Sequence, residues 1–290
     1  MSILIDGKAV AKKIERETAQ HVKELATRGV IPKLTVVLVG DDRASVTYVH
    51  KKGQLAKNVG IKFELLKLPA SITSSDLQRR LRDIQRDRTL SGLIIQLPLP
   101  EHLTAPDVLN SIQPNLDVDG LTDVSMGRLM MGTADILPPT PSAVMTILEH
   151  LSVDLTGKSI TIVGTGALVG KPLSVLMMNA NATVTTCNAA TRNLDTECRS
   201  ADILISAVGQ PGLIRGTMIK KNAIVVDTGI AFVNGKMTGD VNVEEAMTVA
   251  HAVTPTPGGV GPITVARLLW NVVQFAKGQR KNSNHSQNTR

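Results

Sequence analysis

Residues 159–187 read SITIVGTGALVGKPLSVLMMNANATVTTC, and this segment indicates the fold most clearly. The apolar run SITIV predicts a strand, the glycine-rich turn from Gly164 to Gly170 follows it, and residues 168–178 and 182–187 predict a helix and a second strand. A glycine turn between a strand and a helix lets backbone N–H groups approach a pyrophosphate. A Walker A loop is excluded because Pro172 stands where that loop needs Ser or Thr.

The residues downstream extend this pattern. Residues 202–208 and 223–227 predict further strands, the Pro- and Gly-rich segment 254–262 predicts irregular backbone, and residues 263–275 predict a closing helix. Strands that alternate with helices form a parallel sheet with right-handed crossovers, and ligands gather at the carboxyl ends of such strands. The sequence therefore predicts a Rossmann-like, doubly wound dinucleotide-binding domain.

The residues upstream predict a second α/β domain. Helices are expected over residues 8–28, 45–59 and 74–88, the last with Ser75 as its N-cap, and strands over 34–39, 61–68 and 92–97. The step Leu137-Pro138-Pro139-Thr140-Pro141 is expected to interrupt regular structure before a helix over 142–151, and to act as a hinge. The expected domains are 1–141, completed by the helix 263–277, and 142–262, with 278–290 as a disordered tail.

Composition agrees with two α/β domains in a reducing compartment. A chain of 290 residues with 42% hydrophobic residues is long enough for two cores, and 2% aromatic residues suits buried parallel strands. Cys187 and Cys198 match neither a metal knuckle nor a CxxC pair, so we expect no disulfide and a cytoplasmic protein. Asp6 interrupts any signal core, and no run reaches the roughly 18 apolar residues that a membrane span needs.

The formal charge of +7 does not indicate nucleic acid. Four of these charges lie from Lys277 onward, at Lys277, Arg280, Lys281 and Arg290. The rest of the chain lacks basic runs with interleaved aromatic residues, so a small polyanionic ligand is the better match.

A few polar residues upstream are candidates for chemistry. Tyr48 and Lys52 are four residues apart and share one helix face, although an exposed Tyr and Lys would look the same in sequence. Gln96 ends a strand predicted to be buried. Asp117 and Asp119 could bind a metal, but paired acids in a loop more often cap a turn.

Taken in order, these segments resemble the methylenetetrahydrofolate dehydrogenase/methenyltetrahydrofolate cyclohydrolase family. The matching segments, which run from about Asp6 to Phe275, are VGDDRASVTYVHKK, QLPLP, DVDGL, GRL, PPTPSA, GTGALVGKP, SAVGQPG, VVDTGI, GDV and TPTPGGVGPITVA. The resemblance implies a folate domain and a dinucleotide domain with a cleft between them. It further implies a cytoplasmic homodimer that acts in one-carbon metabolism and serves purine, methionine and histidine biosynthesis, without a metal and without nucleic acid or membrane as a partner.

The resemblance also implies roles for individual residues. Lys52 would be the catalytic base, Tyr48 would pack over the substrate, and Gln96 would hold the lysine by a hydrogen bond. Asp119 would bind the pterin edge, and Pro257, Gly258 and Gly259 would lie beside the folate. The residues expected to bind the cofactor are Gly164, Thr165, Gly166, Val169, Asn188, Ala207, Gly209 and Ile230.

This chain departs from the family pattern on the cofactor side. Gly164-Thr165-Gly166 replaces Gly-Arg-Ser, and Cys187-Asn188-Ala189 replaces Cys-His-Ser, which removes groups expected to meet a 2′-phosphate. Pro139 and Ala231 stand where the family commonly has Cys and Asn. NADP is expected on family grounds and NAD stays open. A cyclohydrolase with weakened dehydrogenase activity and a non-catalytic folate-binding paralogue are the alternatives.

Overall fold

The structure is a computed structural model that describes residues 2–285. Its strands are β1 (Ile3–Leu4), β2 (Lys33–Val39), β3 (Lys62–Leu68), β4 (Gly92–Ile95), β5 (Ser159–Val163), β6 (Thr183–Cys187), β7 (Ile203–Ser206), β8 (Ile224–Asp227), β9 (Ala231–Val233), β10 (Lys236–Thr238) and β11 (Ala252–Val253). Its α-helices are α1 (Gly7–Ala26), α2 (Arg43–Asn58), α3 (Ser74–Ile84), α4 (Ala105–Leu109), α5 (Asp123–Met130), α6 (Pro139–His150), α7 (Gly170–Asn179), α8 (Leu194–Ser200), α9 (Val243–Val249) and α10 (Val260–His285). A short 3₁₀ helix covers Gly216–Met218.

The chain divides into two compact α/β units, as the composition and patterning predicted. The three-stranded unit comprises Lys13–Arg128, Ala134–Leu137 and the chain from Val265 onward. The six-stranded unit comprises the residues up to Lys12 together with Leu129–Thr133 and Pro138–Thr264. The first residues belong to the six-stranded unit, and not to a domain spanning 1–141, because β1 pairs with β11.

In the three-stranded unit, β2 lies between β3 and β4, and all three strands are parallel. Side chains alternate between the two faces of β2. Leu34 and Val36 join a buried cluster with residues of α1, α2 and α10, whereas Val37 and Val39 join a second cluster with residues of α3 and α4. A strand covered on both faces agrees with the buried parallel strands that the composition predicted.

In the six-stranded unit, the parallel strands follow the order β1-β11-β8-β7-β5-β6. The chain leaves β5 first toward β6 on one side and then returns to β7 on the other side. Such a reversal of strand order opens a crevice at the carboxyl ends of the two central strands, which is where doubly wound sheets bind ligands. Both cysteines lie buried in this unit and are free thiols.

The proline-rich segments are more helical than the sequence indicated. Helix α6 begins at Pro139, so Pro139 and Pro141 lie in its first turn, and α10 begins at Val260 and takes Pro262 into its first turn. The first N–H groups of a helix have no partner within it, so proline is tolerated there although it breaks a helix interior. Helix α10 also continues through residues 278–285 of the expected tail, and residues 286–290 lie outside the described part of the chain.

Two local features also differ from the prediction. Helix α3 is capped by Thr73, whose hydroxyl accepts a hydrogen bond from the Asp76 N–H at 3.2 Å, and it ends at Ile84. An antiparallel hairpin of β9 and β10, not predicted, turns at Asn234 and Gly235, both with positive φ. Asn-Gly is the common sequence of such turns. Of the helices within residues 2–285, none combines the length and apolar character that a membrane crossing requires.

Candidate active site

Helix α2 presents Tyr48 and Lys52 on the same face. The Asp42 side chain caps the helix by accepting a hydrogen bond from the Ser45 N–H at 2.8 Å. Lys52 is only 6% exposed, and its Nζ lies 4.7 Å from the centroid of the Tyr48 ring. A surface lysine would snorkel to water, so the burial of Lys52 excludes the ordinary reading of this pair as an exposed helix face.

Gln96, directly after β4, holds the lysine amine. Lys52 Nζ donates a hydrogen bond to Gln96 Oε1 at 3.2 Å, and Gln96 Nε2 donates to the Leu97 carbonyl oxygen at 2.7 Å. The Gln96 backbone N–H donates to Val37 O at 2.9 Å. Because the amide nitrogen is engaged with a carbonyl, the amide oxygen must be the atom that faces the lysine.

The surroundings of this pair favour a neutral amine. Burial lowers the pKa of Lys52, and the negative charge of Asp119 opposes that shift in part. The direct partner of the amine is a neutral amide and not a carboxylate, so little compensates the cost of burying the charge. Burial raises the pKa of Tyr48 to about 12, with Asp119 adding to the effect, so this phenol keeps its proton.

The loop that carries Asp119 is held from two sides. The buried Asp117 carboxylate accepts hydrogen bonds from the N–H groups of Leu121 at 3.2 Å and Thr122 at 2.9 Å, so Asp117 caps a turn. From α10, Asn271 Nδ2 donates to Val118 O at 2.9 Å. Burial raises the pKa of Asp119; the charge of Lys52 opposes this and that of Asp117 adds to it. Within residues 2–285 no group of three or more His, Cys, Asp or Glu side chains could hold a metal ion.

In the six-stranded unit, the glycine turn follows β5 at the reversal of strand order. Gly164 has φ +108°, and a Cβ there would collide with the carbonyl oxygen of Ala207, the first residue after β7. A Cβ at Gly170, the first residue of α7, would collide with the carbonyl oxygen of Gly164. Only glycine permits both approaches, which bring the end of β5 against the residue after β7 and against the start of α7.

The other residues expected to bind the cofactor lie on the same edge of the sheet. Asn188 follows β6, Gly209 lies after β7 and Ile230 lies after β8, while Thr165 and Val169 belong to the glycine turn. A Cβ at Gly166 would meet no protein atom within 4 Å, so the backbone there is open to a ligand. These features fit a dinucleotide. The Asn188 side chain accepts a hydrogen bond from the Ala190 N–H at 2.9 Å and so supports a turn of its own.

The residues Pro257, Gly258 and Gly259 form a turn in the six-stranded unit. The Gly259 N–H donates to Pro255 O at 2.9 Å, Pro257 is exposed, and Gly258 has φ +103°. The structure therefore groups the candidate residues in two sets. Tyr48, Lys52, Gln96 and Asp119 belong to the three-stranded unit, and the glycine turn, the residues after β6, β7 and β8, and residues 257–259 belong to the six-stranded unit.

Two acids to which sequence reasoning assigned no role support the loops after β7 and β8, at the edge of the six-stranded sheet where the cofactor is expected to bind. Asp227 and Asp240 are both buried, and they hold the segments that carry Ala207, Gly209 and Ile230. The segments VVDTGI and GDV contain these acids, so the resemblance pointed to them, but no local pattern shows what a buried carboxylate will bind.

Comparison with known proteins covers nearly the whole chain. The family model for the catalytic domain of tetrahydrofolate dehydrogenase/cyclohydrolase matches residues 5–119, and the model for its NAD(P)-binding domain matches residues 138–280. The bifunctional protein FolD of Geotalea daltonii is 44% identical over 278 residues, which are 96% of this chain and 99% of that protein.

Solved structures of similar proteins agree with the match to the family models. The bifunctional FolD of Campylobacter jejuni superposes with a TM-score of 0.94 at 39% identity, covering 96% of this chain and 99% of that one. The FolD of Trypanosoma brucei, solved with NADP and an inhibitor, superposes with a TM-score of 0.92 at 36% identity, covering 96% and 98%. The resemblance read from the motifs is confirmed, and this chain belongs to the tetrahydrofolate dehydrogenase/cyclohydrolase family.

Proposed function

We propose that this chain oxidises 5,10-methylenetetrahydrofolate to 5,10-methenyltetrahydrofolate with NADP, and then hydrolyses the product to 10-formyltetrahydrofolate with Lys52 as the base. The observation that carries the proposal is a buried lysine whose amine is held by the neutral amide of Gln96. A cyclohydrolase with weakened dehydrogenase activity and a non-catalytic paralogue are not favoured, because relatives named as bifunctional match 96% of the chain.

The chemistry requires a base beside a cation. Loss of hydride from the methylene bridge leaves a positive charge shared by two folate nitrogens; the dinucleotide, when bound, supplies the hydride acceptor. Water then adds to the cationic carbon and must lose a proton. A neutral Lys52 can take that proton, and the positive charge of the substrate should lower the pKa of the amine further.

Gln96 would orient the amine of Lys52, and Asp119 would orient the folate. Because a Lys52 N–H donates to Gln96 Oε1, the lone pair of the neutral amine points away from Gln96 and is free to accept a proton. The Asp119 carboxylate would accept two hydrogen bonds from the amino-pyrimidine edge of the pterin. Tyr48 would cover the substrate as a neutral phenol, and Pro257, Gly258 and Gly259 would lie beside the folate.

The cofactor would bind at the carboxyl edge of the six-stranded sheet. The open backbone at Gly166 and the N-terminus of α7 suit a pyrophosphate, with Thr165 and Val169 in the same turn. NADP is preferred because the similar FolD of Trypanosoma brucei was solved with NADP. NAD stays an alternative, since Thr165, Asn188 and Ala189 carry no positive charge for a 2′-phosphate.

An absorbance assay tests both activities. Methenyltetrahydrofolate should form from methylenetetrahydrofolate with NADP, more slowly with NAD, and not at all without a dinucleotide. Methenyltetrahydrofolate supplied directly should be consumed faster than its spontaneous hydrolysis. Absence of any signal with both cofactors would overturn the dehydrogenase half, and hydrolysis at the spontaneous rate would overturn the other half.

The proposal extends to the location, the pathways and the oligomeric state of the enzyme. The enzyme would act in the cytoplasm, supply one-carbon units for purine, methionine and histidine biosynthesis, and form a homodimer. We take the hairpin of β9 and β10 as part of the dimer contact, because it exposes the large apolar side chain of Phe232 at 59%.

A further inference from the structure

Asp240 is a buried carboxylate that binds the turn after β7. It is 0% exposed, and its Oδ2 accepts hydrogen bonds from the Ser206 hydroxyl at 2.7 Å and from the Val208 N–H at 2.8 Å. Its other oxygen, Oδ1, is buried without a hydrogen-bond partner. A buried carboxylate with one oxygen unsatisfied is costly, and an apolar side chain would pack there at less cost.

The turn that Asp240 holds is part of the proposed cofactor site. Ser206 and Val208 flank Ala207, whose carbonyl oxygen lies against Gly164 so closely that no side chain would fit between them. The position of this turn therefore sets the position of the glycine turn beside it.

A second carboxylate fixes Asp240 itself. Asp227 Oδ1 accepts a hydrogen bond from the Gly229 N–H at 2.9 Å, and Asp227 Oδ2 accepts one from the Val241 N–H at 2.9 Å. A Cβ at Gly229 would collide with the Asp240 carboxylate, so backbone packs directly on the acid. Burial raises the pKa of Asp227 to about 6, and the charge of Asp240 adds to it. The two acids thus join the ends of β7 and β8 to the segment before α9.

We infer that Asp240 is a positioning residue for the dinucleotide: its two hydrogen bonds hold the turn of residues 206–209 against Gly164 and so shape the surface on which the cofactor binds. The inference rests on the proposed cofactor site. A carboxylate suits this task because hydrogen bonds to an ionised acceptor are short and strong, and small misplacements in a binding site are costly.

Kinetics of three variants test the inference. Asp240→Ala removes both hydrogen bonds and should raise the KM for NADP by about tenfold or more, while the hydrolysis of methenyltetrahydrofolate, which needs no dinucleotide, stays within about twofold. Asp240→Asn keeps one oxygen that can accept both bonds, so its KM should stay within about threefold. Ser206→Ala removes one bond and should fall between them, which keeps the test informative should Asp240→Ala not fold.

Two further variants distinguish a failure of the inference about Asp240 from a failure of the proposed cofactor site. Asp202 also accepts one backbone and one side-chain hydrogen bond, from Ser159 N and Lys220 Nζ, but it lies at the opposite ends of the strands. Asp202→Ala should leave the KM for NADP unchanged. Gly166→Val places a side chain where the cofactor is expected, and should raise that KM. If the KM for NADP rises in Gly166→Val but not in Asp240→Ala, the inference about Asp240 is wrong and the proposed cofactor site stands. If the KM rises in neither variant, the proposed cofactor site is wrong as well.

Discussion

The proposed role of Lys52 as a base depends on the surroundings of its amine. Burial lowers the pKa of Lys52 from its ordinary value, and the Gln96 amide supplies a hydrogen bond without a compensating charge. Arginine cannot take this role, because its guanidinium stays protonated in proteins.

Replacing Lys52 by arginine should therefore abolish the cyclohydrolase. The rate of methenyltetrahydrofolate hydrolysis should fall by on the order of 100-fold or more, the range expected for loss of a general base. Dinucleotide affinity, measured by fluorescence titration, should not change, because the residues proposed to bind the cofactor lie in the six-stranded unit. Lys51→Arg is the matched control, since Lys51 is exposed on the same helix. A fully active Lys52→Arg enzyme would rule out the proposed base.

Gln96→Glu should move the pH dependence of hydrolysis. A carboxylate beside the amine favours the charged form, so the pKa of Lys52 rises, less neutral amine is present at a given pH, and the rising limb of the pH–rate profile moves to higher pH by on the order of one unit. Tyr48, with a pKa of about 12, cannot supply that limb. Gln96→Leu adds no charge and should lower the rate without the alkaline shift. An unmoved profile in Gln96→Glu would contradict the assignment of the limb to Lys52.

The junction of β5 and α7 depends on glycine. Gly170→Ala places a methyl group against the carbonyl oxygen of Gly164, and overpacking of this kind costs about 1–3 kcal/mol of unfolding free energy. Chemical denaturation should show this loss, and dehydrogenase activity should fall more than cyclohydrolase activity. Gly166→Ala, where a Cβ meets no protein atom, is the stability control. Equal stability of Gly170→Ala and the parent chain would show that this close approach does not exist.

The proposed homodimer predicts a measurable mass. Light scattering should give twice the 30.9 kDa of one chain. Phe232→Glu places a charge on the exposed hairpin and should shift the protein toward a single chain at low concentration, because burying an unpaired charge in an interface is costly. Ile31→Glu, at a residue 62% exposed in the three-stranded unit, should not change the mass. A parent chain that is monomeric at all concentrations would refute the dimer.

Local patterns in the chain were enough to predict the α/β class, the strands β2 to β8, the glycine turn and the family. These properties rest on local periodicity and on motifs in series, which a chain carries before it folds. Proline was less informative, because its effect depends on whether it lies in the first turn of a helix, as Pro139 does, or further inside.

Which polar groups meet, and which of them are buried, depends on how the folded chain packs. The amine of Lys52 reaches Gln96 across 44 residues, and Asp240 reaches Ser206 across 34. Burial, and with it the direction of a pKa shift, arises when strands and helices distant in sequence pack together and exclude water. For that reason the motifs could identify Lys52 as a candidate, but not the buried environment of its amine. The contact of Asp240 with the turn after β7 likewise becomes visible only in the folded chain.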